Sequence, residues 1–196
     1  DASIVTDTGA IMCNMGKAQR LTEPQQQMDY YLSTGASLLG SYNPPATIEG
    51  GDVAWLKDDV LSVAEGYRTN AAGISLLKKL VGDSVELLVM DSPHYKGPSD
   101  VFHLMSVLSP VDYNLAVGYS PLMTVPFRNR LIEMGVNFIE VPDEEFDSLG
   151  CNVLALAPGV CLMAEGNPIT RSRLETAGHE VIEFQGNEIC LKGSGG

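Results

Sequence analysis

The residues with the most chemical content are the run Glu49-Gly50-Gly51-Asp52, together with Asp1 and His103. Glu49 and Asp52 bracket two glycines just ahead of the apolar run Val53-Ala54-Trp55-Leu56, where a strand entrance ordinarily carries one polar residue and no paired acids. Glycines strip side chains from a place where something must come close, while the flanking acids stay. Carboxylates in a cleft suit a cation, through charge pairing and charge-assisted hydrogen bonds, and carboxylates joined by a histidine form a candidate catalytic set. Taken singly, Asp1 also reads as a turn or cap residue at a strand end, and His103 equally as a satisfied core histidine. Arg68, in G-Y-R-T-N at 66–70, follows a strand-like run; it either forks onto a carboxylate or faces solvent. His94, in D-S-P-H-Y-K-G-P, reads as an exposed loop residue, and His179, in A-G-H-E-V, as a surface residue between a helix and a strand.

The elements that position these residues belong to a chain of 196 residues, enough for one good core or two small ones. Its 44% hydrophobic content is ordinary for a globular protein. A net charge of −13 disfavours nucleic acid and anionic membrane surfaces as partners, and it welcomes a cationic ligand. Cys13, Cys151, Cys161 and Cys190 form no CxxC pair, so reduced thiols in a cytoplasmic protein are expected rather than a zinc site or a disulfide framework. Cys190, in E-I-C-L-K, reads as an interior strand position. No stretch approaches the roughly 20 apolar residues of a membrane span.

Four segments resemble one another, starting at Ile4, Val53, Met105 and Val153. Each has an apolar run, a turn rich in Asp, Pro or Gly, a second apolar run, and then a glycine. The glycines are Gly16, Gly66, Gly118 and Gly166, at spacings of 50, 52 and 48 residues. A helix-like segment follows, with apolar residues three and four apart, as at Ile74, Leu77 and Val81 or Phe127, Leu131 and Met134. Gly35, Gly82, Gly135 and Gly178 mark the helix ends, and a third strand-like run closes each unit. The pattern predicts strand–turn–strand–helix–strand units of the α/β class packed side by side in one domain. Counting back 15 residues from the four glycines gives Asp1, Gly51, His103 and Cys151. The polar residues of chemical interest thus fall at equivalent places, and an arrangement around a common axis would converge them.

The motifs I-E-G-G-D-V at 48–53, G-Y-R-T-N-A-A-G at 66–73 and F-H-L-M-S at 102–106 resemble the guanidine-modifying, or pentein, superfamily. That group includes dimethylarginine dimethylaminohydrolases, arginine deiminases and amidinotransferases. The resemblance covers essentially the whole chain. It implies an α/β propeller of ββαβ units around a pseudo-fivefold axis, with four units present and a single domain, residues 1–196, incomplete at both ends. It also implies covalent catalysis on a small guanidino substrate, arginine or a methylated arginine. A cysteine attacks the guanidinium carbon, a thiouronium intermediate forms, and water releases citrulline. By the same resemblance His103 is the general acid/base, and Glu49 binds the guanidinium and supports the histidine. Asp1 and Asp52 bind substrate, and Arg68 grips its α-carboxylate. No cofactor or metal is implied; a homodimer is left open.

In the family the nucleophile follows a glycine-rich stretch near the C-terminus, here Gly193-Ser194-Gly195-Gly196. The expectation is therefore that the thiol lies just beyond Gly196, that the four cysteines present are core thiols, and that residues 1–196 alone are inactive. Arginine deiminases carry an aspartate two residues after the histidine, where this chain has Met105. That difference tilts the reading toward a dimethylarginine dimethylaminohydrolase-like hydrolase. Amidino transfer and non-catalytic binding are the alternatives.

Overall fold

The computed structural model describes residues 1–100 and 102–193. Its elements repeat four times. The first set is β1 (Ser3–Thr6), β2 (Gly9–Met12), α1 (Glu23–Thr34) and β3 (Leu38–Ser41). The second is β4 (Val53–Lys57), β5 (Val60–Glu65), α2 (Ala71–Val81) and β6 (Glu86–Asp91). The third is β7 (Leu108–Asp112), β8 (Leu115–Gly118), α3 (Val125–Glu133) and β9 (Asn137–Glu140). After a short helix α4 (Asp143–Phe146), the fourth is β10 (Val153–Ala157), β11 (Val160–Ala164), α5 (Pro168–Thr176) and β12 (Glu180–Phe184).

Each set forms one three-stranded sheet in chain order. The first two strands make an antiparallel hairpin, and the helix carries the chain back so that the third strand runs parallel to the second, as in Leu61 against Leu87. The hairpin turns use Asp7-Thr8, Asp58-Asp59, Tyr113-Asn114 and Pro158-Gly159, residues that tolerate tight or left-handed backbone. In three of the sheets the register slips at the same place, between Trp55 and Lys57, Pro110 and Asp112, and Ala155 and Ala157. Gly35, Gly82, Gly135 and Gly178 all lie at positive φ, within two residues of a helix end, as the sequence pattern expects.

Packing divides the chain into two compact units, Asp1–Ser92 and Pro93–Gly196, each holding two repeats. In the first, both hairpins and α2 close over Ile4, Ile11, Ile48, Leu61, Val63 and Leu77. In the second, Val111, Val117, Ile139, Val153, Cys161, Met163 and Leu174 form the corresponding core. There the two repeats are stitched by Ser109, whose Oγ donates to the Cys151 carbonyl at 2.6 Å and accepts from the Val153 amide at 3.3 Å. Among the described residues no helix is long and apolar enough to cross a membrane.

Two expectations are corrected. Cys190 is not on a strand; it lies in the short helical turn Asn187–Leu191, with its amide bonded to the Gly186 carbonyl. A short apolar run does not distinguish strand from buried helix by its pattern. His179 is not at the surface: it is buried, and its Nε2 lies 3.3 Å from Asp112 Oδ2 without the alignment of a hydrogen bond. The turn after α5 folds it inward, a placement that depends on β7 and could not be read from A-G-H-E-V alone.

Candidate active site

In the first unit the E-G-G-D run forms a tight 3-10 turn, Gly50–Asp52, leading into β4. The close approach that its glycines allow comes from the chain itself. The Gly50 amide donates to the Asp1 carbonyl at 2.7 Å, and a Cβ on Gly50 would stand 2.7 Å from the Ser3 carbonyl oxygen. Glycine is needed there so that Asp1 can lie against the turn that carries Glu49. The opposite approach is set by Gly16, where a Cβ would meet Arg68 Cα at 2.9 Å.

Glu49 has no exposed surface. Its Oε1 accepts from the Gly16 amide and from Arg68 Nε, both at 2.9 Å, and its Oε2 accepts from Arg68 Nη2 at 2.6 Å. Arg68 is itself buried, and its fork matches the carboxylate with two parallel bonds. The resemblance assigns Arg68 to a substrate carboxylate; in the structure two of its nitrogens are spent on Glu49. A second guanidinium, from Arg20, donates through Nη1 to Asp1 Oδ2 at 2.8 Å and to Glu49 Oε2 at 3.3 Å. The remaining edge of Arg20 pairs with Glu23, whose carboxyl is held below its ordinary range by that hydrogen bond. Asp1 and Glu49 thus hold a guanidinium nitrogen between them.

Asp52 is buried and its Oδ2 accepts from Thr69 Oγ1 at 2.6 Å, while the same hydroxyl accepts the Glu49 amide at 3.2 Å. Asn70 caps α2 by accepting the Gly73 amide at 2.8 Å, and it also binds the Thr47 amide and the Pro45 carbonyl. The segment that ends in Glu49 is therefore pinned to the start of α2. Arg20, Thr69 and Asn70 were not singled out in the sequence. Only Asn70 has a signal there, as a cap residue ahead of an apolar run.

His103 belongs to the second unit. It stands on extended backbone as the cap of the short turn Leu104–Ser106, in a reciprocal arrangement. Its ring accepts from the Ser106 amide, and Ser106 Oγ accepts from the His103 amide at 3.1 Å. A ring nitrogen that accepts cannot carry a proton, so the proton of the neutral ring sits on the other nitrogen. Taking up a second proton requires the ring to give up the Ser106 amide.

The cysteines have the character of core thiols. All four are buried. Burial pushes the Cys13 thiol up to about 12 and raises those of Cys151 and Cys161 as well. A raised thiol is a poor nucleophile because so little thiolate forms. Residues Ser194-Gly195-Gly196, to which the sequence reading attached the approach to a nucleophile, lie outside the described residues.

A family profile for arginine deiminase matches residues 127–196. The arginine deiminase of Rhodococcus jostii (strain RHA1) is 31% identical over 175 residues, which is 74% of this chain and 43% of that protein. The N(G),N(G)-dimethylarginine dimethylaminohydrolase of Streptomyces coelicolor is 29% identical over 196 residues, covering 97% of this chain and 69% of that protein. The chain thus spans less than half the length of the arginine deiminases it matches. Among solved structures, the N-terminal domain of ArgZ, an arginine dihydrolase of Cyanobacteria crystallised with its product, superposes with a TM-score of 0.85 at 18% identity, over 99% of this chain and 69% of that one. A variant of the same domain has been solved covalently bonded to a reaction intermediate. That likeness shows the fold, four units of which this chain contains. The sequence matches, taken with that fold, support the resemblance to the guanidine-modifying, or pentein, superfamily.

Proposed function

We propose that the protein hydrolyses the guanidino group of arginine or a methylated arginine, releasing ammonia or an amine and leaving citrulline. The observation that carries the reading is the pair Asp1 and Glu49, whose carboxylates already share a guanidinium nitrogen, that of Arg20. A planar substrate guanidinium offers the same donors, and prepositioned carboxylates, Glu49 buried and Asp1 at the surface beside it, bind it without reorganising. Arg68 acts here by holding Glu49 charged and oriented. Asp52 acts through Thr69 on the same turn.

In this reading a cysteine thiolate adds to the guanidinium carbon. The carbon–nitrogen bond to the leaving group then breaks as His103 delivers a proton to the departing nitrogen, which leaves a thiouronium on sulfur. Water adds to that carbon with His103 taking its proton, and the carbon–sulfur bond breaks to give citrulline and the free thiol. The covalent intermediate seen in the ArgZ domain supports this route. None of the four cysteines described suits the attack, so the thiol is assigned elsewhere in the full-length protein. Met105, in place of the aspartate expected of an arginine deiminase, offers an apolar contact, and this favours methylated nitrogens with fewer N–H donors to satisfy. The account is tested by citrulline release from the full-length protein, with arginine, monomethylarginine and asymmetric dimethylarginine as substrates. At least one should turn over, the methylated ones with the higher kcat/KM, and His103→Ala should lower kcat by about 10²-fold or more. A His103→Ala enzyme with unchanged kcat would remove His103 from the chemistry.

A further inference from the structure

We infer that a column of four aromatic rings, Tyr119, Phe146, Tyr95 and Phe102, is a positioning element for His103. The inference rests on the role proposed above for that histidine. Tyr119, just after β8, stacks on Phe146 of α4 with ring centroids 4.1 Å apart and planes 24° apart. Phe146 meets Tyr95 edge-on, at 6.0 Å and 87°, and Tyr95 meets Phe102 at 5.9 Å and 50°. Both separations fall in the range where aromatic pairs attract beyond their area of contact. Phe102 is the residue immediately before His103.

The column is tied to α4, which carries Phe146, and to Asp147 just after it. The Tyr119 hydroxyl donates to Asp143 Oδ1 at 3.0 Å, and Lys96, which lies 4.9 Å from the centre of the Tyr95 ring, pairs with Asp147 at 3.2 Å. Tyr95 is held at φ 42°, a left-handed conformation that a tyrosine rarely adopts, so the ring contacts are made against a local backbone preference. That cost fits a residue whose side chain is needed where it stands.

The link to His103 is geometric. His103 sits on extended backbone, φ −130° and ψ 172°, where consecutive side chains project to opposite sides. Fixing the Phe102 ring on one side therefore fixes the direction in which the imidazole leaves the chain on the other. From the C-terminal side Ser106 Oγ accepts the His103 amide at 3.1 Å and holds the backbone from which the ring leaves, whatever the proton on the ring. Between them the two restraints leave the ring little freedom of aim. General acid–base transfer needs that aim, since a misplacement of about 1 Å can cost as much as 10²-fold in rate.

The test uses Phe146→Ala and Phe146→Tyr in the full-length protein, with Phe127→Ala, a buried core truncation outside the column, as the structural control. Phe146→Ala should lower kcat by about 10-fold with KM changed less than about twofold, and Phe146→Tyr, which keeps the stack, should restore it. Residues 1–196 contain three histidines, and each ring is assigned by its single His→Gln substitution and followed by nitrogen-15 NMR, which does not depend on turnover. In Phe146→Ala the His103 ring signals should shift and broaden while those of His179, which lies by Asp112 of β7, stay. Phe127→Ala should leave His103 in place at temperatures where it remains folded. Unmoved His103 signals in a folded Phe146→Ala protein, or an activity loss that only follows the folded fraction, would overturn the inference. If no guanidino compound is turned over by the unaltered protein, the functional reading fails while the ring measurement still decides the positioning.

Discussion

Glu49 has no exposed surface, and an ionised carboxylate so placed is stable only with charge and hydrogen bonds supplied by the protein. Arg68 provides both in one fork, with the Gly16 amide completing the shell. Removing one partner of a buried ion pair strands the other. Arg68→Ala is therefore expected to lower stability by about 3–5 kcal/mol. Arg68→Lys should recover only part of that, because a single ammonium cannot reproduce the two parallel bonds. Urea unfolding of the two variants against the parent measures both effects, and losses below about 0.5 kcal/mol for both would contradict the assignment of Arg68 to Glu49. At this scale the acids were legible, because two glycines between two carboxylates are hard to place in an ordinary strand entrance. Arg20 and Thr69 were not, since their partners stand 29 and 17 residues away and no local spacing announces such a contact.

The elements that aim Glu49 are the segment 45–52 and the start of α2, which meet at Gly73. A Cβ at that position would stand 2.0 Å from the Thr47 carbonyl oxygen, so the helix can dock only as glycine. Gly73→Ala should destabilise the first unit by about 2 kcal/mol or more through forced backbone displacement, although alanine is otherwise the better helix former. Thermal unfolding should show the loss, and a Gly73→Ala protein as stable as the parent would mean that the segment ahead of Glu49 is not pinned to α2 as described. The repeat itself was legible at this scale, down to the glycine after each helix, because period, turn chemistry and caps all act locally. The turn around Cys190 was not, for the three-residue apolar run Ile189-Cys190-Leu191 is too short to carry a periodicity of its own. The inward fold of His179 was hidden for the opposite reason, being decided by a strand, β7, far away in sequence.

For the molecule as a whole, sequence matches and fold both support the resemblance to the superfamily, while the activity proposed above depends on the roles given there to Asp1, Glu49 and His103. Acidic overall charge suits a cationic substrate, and the matched relatives are named as an arginine deiminase and a dimethylarginine dimethylaminohydrolase. Hydrolysis and amidino transfer both begin with thiolate addition to the guanidinium carbon and part at the bond broken next, hydrolysis expelling ammonia or an amine and transfer expelling ornithine. Running the full-length protein with guanidino-labelled arginine or methylarginine in oxygen-18 water separates them by product mass. Hydrolysis gives citrulline carrying one oxygen-18 in its ureido group, and the label stays on citrulline even when an amine acceptor is present. Ornithine with the labelled amidino group moved to the acceptor, or no conversion of any guanidino compound, would contradict the hydrolytic account.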